Sequence, residues 1–133
     1  MDAAEPKVGI VVVSYNASTA VRVTLASLRQ TRGHVPFTVV LVDNASEPSE
    51  RDKIRAAFER HAGEGALRWQ YVQQKTNLGF SGGNNVGMRL LLERPDITHI
   101  CLLNSDVIVT DYWLDYLTAA DREIISAVTN KAD

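Results

Sequence analysis

Val8-Gly-Ile-Val-Val-Val-Ser-Tyr-Asn16 (VGIVVVSYN) decides the architecture. Seven residues, Val8 to Ser14, are almost wholly apolar and show no alternation. A strand with one wet face alternates; one buried on both faces does not, and strands of that kind belong to parallel sheets covered by helices. The run then breaks into Ser14, Tyr15 and Asn16, polar residues at a strand's C-terminal end. In open α/β sheets ligands bind at that edge.

Working outward, the pattern repeats. Phe37–Val42 (FTVVLV) predicts a second buried strand, stopped by Asp43-Asn44. Leu67–Val72 alternates more and predicts a strand nearer the sheet edge, and Ile97–Leu103 predicts a further buried strand, stopped by Asn104-Ser105-Asp106. Ile124–Val128 can begin one more.

Helical spacing fills the intervals. Val21, Leu25 and Leu28 mark one helix, capped by Asn16 or Ser18 and ended by Gly33. Ile54, Phe58 and His61 mark a second, started by Ser46 or Ser49 and broken by Gly63 and Gly65. A loop over 74–84 leads into a helix over Asn85–Glu93, and Trp113, Leu114 and Leu117 mark a last short one. Strands alternating with helices through short connections predict an α/β fold: a mostly parallel sheet with helices on both faces and right-handed crossovers. Residues 1–6 are expected to be a disordered lead-in, and 7–133 one domain.

Composition narrows the classes of function. The chain has 133 residues, 45% apolar and 23% charged, the proportions of an ordinary globular protein. Fourteen basic against sixteen acidic residues give a formal charge of −2, which argues against broad nucleic-acid binding. No apolar run approaches the ~20 residues needed to span a bilayer. The one cysteine, Cys101, excludes an intramolecular disulfide and lies in an apolar strand, where a buried thiol is expected. His34, His61 and His99 lie far apart, without metal-ligand spacing, and read as structural.

Two strand-end groups and one loop can carry chemistry. Asp43 is expected to emerge at the ligand edge, where a carboxylate accepts hydrogen bonds from a base N–H or a ribose hydroxyl; a helix cap or turn is the plainer role. The 77–85 segment holds Asn77, Gly79, Gly82, Gly83, Asn84 and Asn85. Glycines let backbone approach a ligand, and amides both donate and accept. No Lys-Ser/Thr follows these glycines and the spacing is not Gly-x-Gly-x-x-Gly, so this is neither a P-loop nor a dinucleotide fingerprint. Asp106 is the best metal candidate, able to hold Mg²⁺ or Mn²⁺ only where a diphosphate supplies further oxygens.

In their order, Val-Ser-Tyr-Asn (13–16), Val-Asp-Asn-Ala-Ser (42–46), Asn-Leu-Gly-Phe-Ser-Gly-Gly-Asn-Asn (77–85) and Leu-Leu-Asn-Ser-Asp (102–106) resemble the family 2 glycosyltransferases. These are inverting enzymes of the GT-A fold, and the bacterial rhamnosyltransferase-like branch of polysaccharide synthesis is the most similar. The resemblance spans roughly residues 7–130. It implies a Rossmann-like GT-A nucleotide-binding half-domain. Ser14, Tyr15 and Asn16 would line the nucleobase pocket, Asp43 would contact the base, and Asn77, Gly79, Gly82, Gly83 and Asn84 would border the nucleotide. Asn104 would sit near the ribose, and Asp106 would hold the divalent metal on the diphosphate. Asn104 replaces the leading Asp of the family's Asp-x-Asp motif, so metal should bind weakly without nucleotide.

The implied donor is a nucleoside-diphosphate sugar of UDP or dTDP type, in a cytoplasmic protein, peripheral at the inner membrane in its full-length form. The acceptor-side half and its general base are expected beyond residue 133, leaving this portion inactive alone, with a homodimer covering the open sheet edge. Two other readings stand beside this one: a non-catalytic nucleotide-binding or oligomerisation module of the same fold, and a sugar-phosphate nucleotidyltransferase. The latter expects a Gly-rich, basic loop after the first strand, where this chain has Ser14-Tyr15-Asn16-Ala17-Ser18.

Overall fold

The computed structural model describes residues 5–120; the strand expected at Ile124–Val128 lies outside them. The elements are β1 (Val8–Ser14), α1 (Ser18–Gln30), β2 (Phe37–Asp43), α2 (Pro48–His61), a 3₁₀ turn at Gly65–Leu67, β3 (Gln70–Gln73), α3 (Gly79–Leu92), β4 (His99–Leu103) and α4 (Trp113–Ala119). Four strands form one parallel sheet in the order β3-β2-β1-β4.

The two unalternating runs occupy the centre. Every residue of β1 is buried, and β2 is buried from Thr38 onward. Their side chains enter two cores. Val8, Ile10, Val12, Val39 and Leu41 pack with Val21, Leu25 and Leu28 of α1 and Ile54, Ala57 and Phe58 of α2. Val11, Val13, Val40 and Val42 pack on the other face with Leu91 of α3. Helices therefore cover both faces, as the patterning requires.

Glycine brings α3 onto the sheet. A Cβ at Gly87 would lie 2.5 Å from Val11 Cγ1, and one at Gly83 would lie 2.8 Å from Val13 Cγ1. Beneath them, the space above Gly9 is filled by Leu91. Close approach requires these residues to be glycine, because packed interiors leave no room for a further methyl.

Several boundaries differ from the expected ones. Helix α3 begins at Gly79, so Gly79–Asn84 are its first residues and not a loop. Asn77 Oδ1 accepts the Gly79 N–H at 2.8 Å, and Gly79 adopts φ +76°, which lets the chain turn into the helix there. Helix α1 has no side-chain cap of its own, since Asn16 is bonded elsewhere; Glu50 of α2 reaches across and accepts the Ser18 N–H at 3.0 Å. Helix α1 ends at Gln30, before Gly33, where Thr31 Oγ1 and the Arg32 N–H are drawn to Thr110 and Asp111. Strand β3 is the short edge strand expected, but begins at Gln70 because Gly65–Leu67 form the 3₁₀ turn.

Strand β4 is not buried as expected. It has a single partner, β1, among the described strands, and Leu102 is 47% exposed. Cys101 is only partly buried, facing the α1–α2 core, and burial pushes its thiol up to about 11. His61 is half-buried at the end of α2; burial, then Arg60 and Arg29, hold its imidazole below the usual value.

Candidate functional site

The site is built from the C-terminal ends of the strands. Because β1, β2 and β3 are parallel and in register, Ser14 pairs with Asp43 and Asp43 with Gln73, forming one row across three strands. Their alternation points all three toward the α1–α2 face. Asn44, one residue on, faces α3.

Asp43 is the hub of this row and is 0% exposed. The expectation that its carboxylate emerges at the edge is corrected: it is covered by its own neighbours. Oδ1 accepts the Ser14 hydroxyl at 2.9 Å and the Ser46 hydroxyl at 2.6 Å. Oδ2 accepts the Ser46 backbone N–H at 2.9 Å and Gln73 Nε2 at 2.8 Å. Gln73 in turn accepts the Tyr71 hydroxyl. The Tyr71 phenol is pushed up to about 12, by burial first and the Asp43 charge second, so it keeps its proton and donates.

The hub ties neighbouring loops together. Ser46 Oγ also accepts the Asn16 N–H at 2.9 Å, and Asn16 Oδ1 accepts the Glu47 N–H at 2.8 Å. Asn16 and Ala45 both adopt positive φ, 49° and 64°, a cost accepted where the two loops interlock. On the other face, Asn44 Nδ2 donates to the Gly79 carbonyl at 2.8 Å and Oδ1 receives the Leu78 N–H at 3.4 Å. Asn44 so fixes the start of α3 to the end of β2.

Above this layer lie the open groups. Ser14 is buried, but Tyr15 is 50% exposed and Asn16 is also exposed. Asn77 and Gly79 are exposed, Gly82 is half-buried, and Gly83 and Asn84 are buried against the sheet. Leu78 and Phe80 are exposed apolar groups beside them.

The fourth stretch differs. After β4 the chain runs along α1, held by Thr24 and Ser27. Thr24 Oγ1 donates to the Ser105 carbonyl at 2.9 Å and accepts the Val107 N–H at 3.1 Å, and Ser27 Oγ accepts the Val109 N–H at 3.1 Å. Backbone is thereby fixed while Asn104 and Asp106 stand exposed. The Asp106 side chain makes no hydrogen bond or ion pair among the described residues.

The described residues contain no group of three His, Cys, Asp or Glu side chains that could hold a metal ion. One free carboxylate with an amide two residues before it suits a hard cation that brings most of its own oxygen ligands. A groove of about 450 Å³ lies elsewhere, between α1 and α2, and is lined by Arg22, Arg60, His61 and Ile108 among others, none belonging to the strand-end set.

Four members of this layer were not assigned to the site from the sequence: Asn44, Ser46, Tyr71 and Gln73. Asn44 and Ser46 stand within the Val-Asp-Asn-Ala-Ser stretch and could have been found there. Gln73 and Tyr71 depend on the β2–β3 register, for which the sequence carries no signal.

A parallel sheet with its polar set on the C-terminal edge defines the class: a nucleotide-fold α/β domain. Residues 9–123 match the model of Glycosyl transferase family 2, and the chain belongs to that family. It is 32% identical over 107 residues to hyaluronan synthase of Pasteurella multocida, covering 79% of this chain and 10% of that protein. Among solved structures it is similar to TarS of S. aureus. The TM-score is 0.60 at 23% identity for the TarS 1–349 structure and 0.62 at 22% for the same span in complex with UDP, each covering 85% of this chain and 31% of that one. The fold is thus the Rossmann-like GT-A fold, and the chain spans a third or less of these relatives.

Proposed function

We propose that this chain is the donor-binding portion of a glycosyltransferase and holds a nucleoside-diphosphate sugar, of UDP or dTDP type, on its C-terminal strand edge. The carrying observation is the division at that edge: a buried hydrogen-bonded layer beneath, and above it Tyr15, Asn16, Asn77, Gly79, Asn104 and Asp106 exposed. Family membership and the UDP complex of TarS support the same reading. The tyrosine ring offers a face for a base, and the Asn amides offer donors and acceptors for base and ribose. Gly82, Gly83 and Asn84 form the wall from which the exposed end of α3 projects.

Asp106, with Asn104 beside it, would hold Mg²⁺ or Mn²⁺, which when bound neutralises charge on the departing diphosphate. The residues assigned here bind and orient the donor; none is assigned as the base that deprotonates the acceptor. In the whole protein the acceptor would be a cell-surface polysaccharide or a related glycan, with rhamnosyl or hexosyl transfer in the cytoplasm, at the inner face of the membrane. No helix among the described residues is long and apolar enough to cross a membrane.

Titration calorimetry of the folded chain with UDP, dTDP and GDP in the presence of Mn²⁺ tests the proposal. Binding of a pyrimidine nucleotide that weakens on removing Mn²⁺ is expected; a folded chain that binds none of the three overturns it. Because β4 has β1 as its single partner among the described strands, a second copy pairing along β4 belongs to the proposal, and sedimentation velocity would show it as a dimer.

A further inference from the structure

We propose that Asp43 is a positioning residue that shapes the nucleotide edge from beneath without touching the nucleotide, and that Ser46 and Gln73 are the groups through which it acts. The inference rests on the reading of this edge as a nucleotide site.

A carboxylate offers about four lone-pair positions. Asp43 receives four protein donors, two on each oxygen, and has no exposed surface. A base N–H could bond to it only by displacing a protein donor and leaving that donor buried and unpaired, which removes the gain. The group is already complete without a ligand.

What the carboxylate does hold is loop geometry. Through the Ser14 hydroxyl it fixes the end of β1. Through Ser46 it fixes the loop after β2, and Ser46 passes the constraint to the Asn16 N–H. Through Gln73 it fixes the end of β3, where the Gln74 N–H also bonds to the Asp43 carbonyl at 2.9 Å. Tyr15, Asn16 and the approach to Asn77 are the exposed groups carried on those loops.

Two features make the arrangement directional. The Ser46 hydroxyl donates to Asp43 while accepting from Asn16, so its rotor is fixed from both sides. The protonated Tyr71 donates to Gln73 Oε1, which turns the amide so that Nε2 faces Asp43. Strand β3 thereby reports to the nucleotide edge through half-buried Tyr71 and Gln73, which end on buried Asp43.

The test compares UDP with N3-methyl-UDP, which lacks the base N–H a direct carboxylate contact would use. Affinities of both, with Mn²⁺, are measured for the parent chain and for Asp43→Asn, Ser46→Ala and Gln73→Met. Positioning predicts that each variant weakens both ligands by the same factor, on the order of tenfold, the scale of one lost hydrogen bond. A cost of Asp43→Asn that appears with UDP and vanishes with the methylated ligand would mean direct contact and overturn the inference. So would unchanged UDP affinity in both Ser46→Ala and Gln73→Met.

A second readout needs no nucleotide. Amide hydrogen exchange at Asn16, Glu47 and Gln74 should quicken in Ser46→Ala and Gln73→Met, while exchange in α3 beyond Gly87 stays unchanged. Unaltered exchange at those three amides sinks the positioning role. If the parent chain binds no nucleotide, the function proposal falls, and exchange alone decides whether Asp43 organises the loops.

Discussion

Asp43 closes strand β2 and Asp106 stands three residues past the end of strand β4, yet the two aspartates are opposites. Asp43 is fully buried, with every oxygen engaged and three neighbouring loops tied to it. Asp106 is exposed on a backbone clipped to α1, and its carboxylate makes no bond among the described residues. The contrast separates two tasks. On the proposed reading, a group that holds geometry is finished before any ligand arrives, whereas a group offered to a cation stays open and depends on the ligand to complete the shell.

The largest effect is expected where the comparison is broken at its buried side. Asp43→Ala would leave two hydroxyls, a backbone N–H and an amide without their acceptor. Buried donors left unpaired cost about 1–3 kcal/mol each, less what rotation and water recover, so a net loss of about 3–4 kcal/mol should appear as a lower urea midpoint. Next comes the wall of the same edge. A methyl at Gly83 would meet Val13 Cγ1 at 2.8 Å and Asn44 Nδ2 at 2.9 Å. Gly83→Ala should cost about 1–3 kcal/mol by overpacking and should loosen the tie from Asn44 to the start of α3, read by thermal melting and by amide exchange at Leu78.

The open side should respond in reverse. Asp106→Asn should leave stability within about 0.5 kcal/mol, as exposed substitutions usually do. Its effect should fall on the ligand: loss of the Mn²⁺-dependent part of nucleotide affinity, measured calorimetrically with and without metal. If Asp106→Asn destabilised the fold as much as Asp43→Ala, the division of tasks would be wrong.

The smallest effect concerns pH. Hydrogen bonds from Ser18, its hydroxyl first and its backbone N–H second, hold the Glu50 carboxyl below the usual 4.5. A depressed folded value means the unfolded chain takes up the proton first. The contribution is therefore complete above about pH 4.5 and is lost as pH falls through the folded value. Glu50→Gln should flatten that part of the acid limb in a stability-versus-pH series, leaving neutral pH nearly unchanged.

Much of the fold was legible because it depends on local pattern. The runs VGIVVVS and FTVVLV could be buried on both faces only within a helix-covered parallel sheet, and both became its central strands. Legibility failed where neighbours decide. Residues 79–84 read as a loop because glycine and asparagine are poor helix formers. They became helix because Gly83 and Gly87 let α3 lie against Val13 and Val11, a gain that no local propensity records. Strand β4 read as buried from its composition, but its burial depends on what lies beside it, and among the described strands that is β1 alone. Tyr15, Asn77, Asn104 and Asp106 were found as exposed groups on the strand-end edge because they sit in the turns that end runs or begin helices, and turn position is a local property.

By itself the sequence determined the strands, the helices between them, the edge on which the polar residues gather, and membership of the glycosyltransferase family through the order of four short stretches. Tertiary structure alone decided that Asp43 faces inward. Its orientation follows from the register that sets Ser14, Asp43 and Gln73 in one row. Register is a relation between strands about 30 residues apart, and no local pattern encodes it.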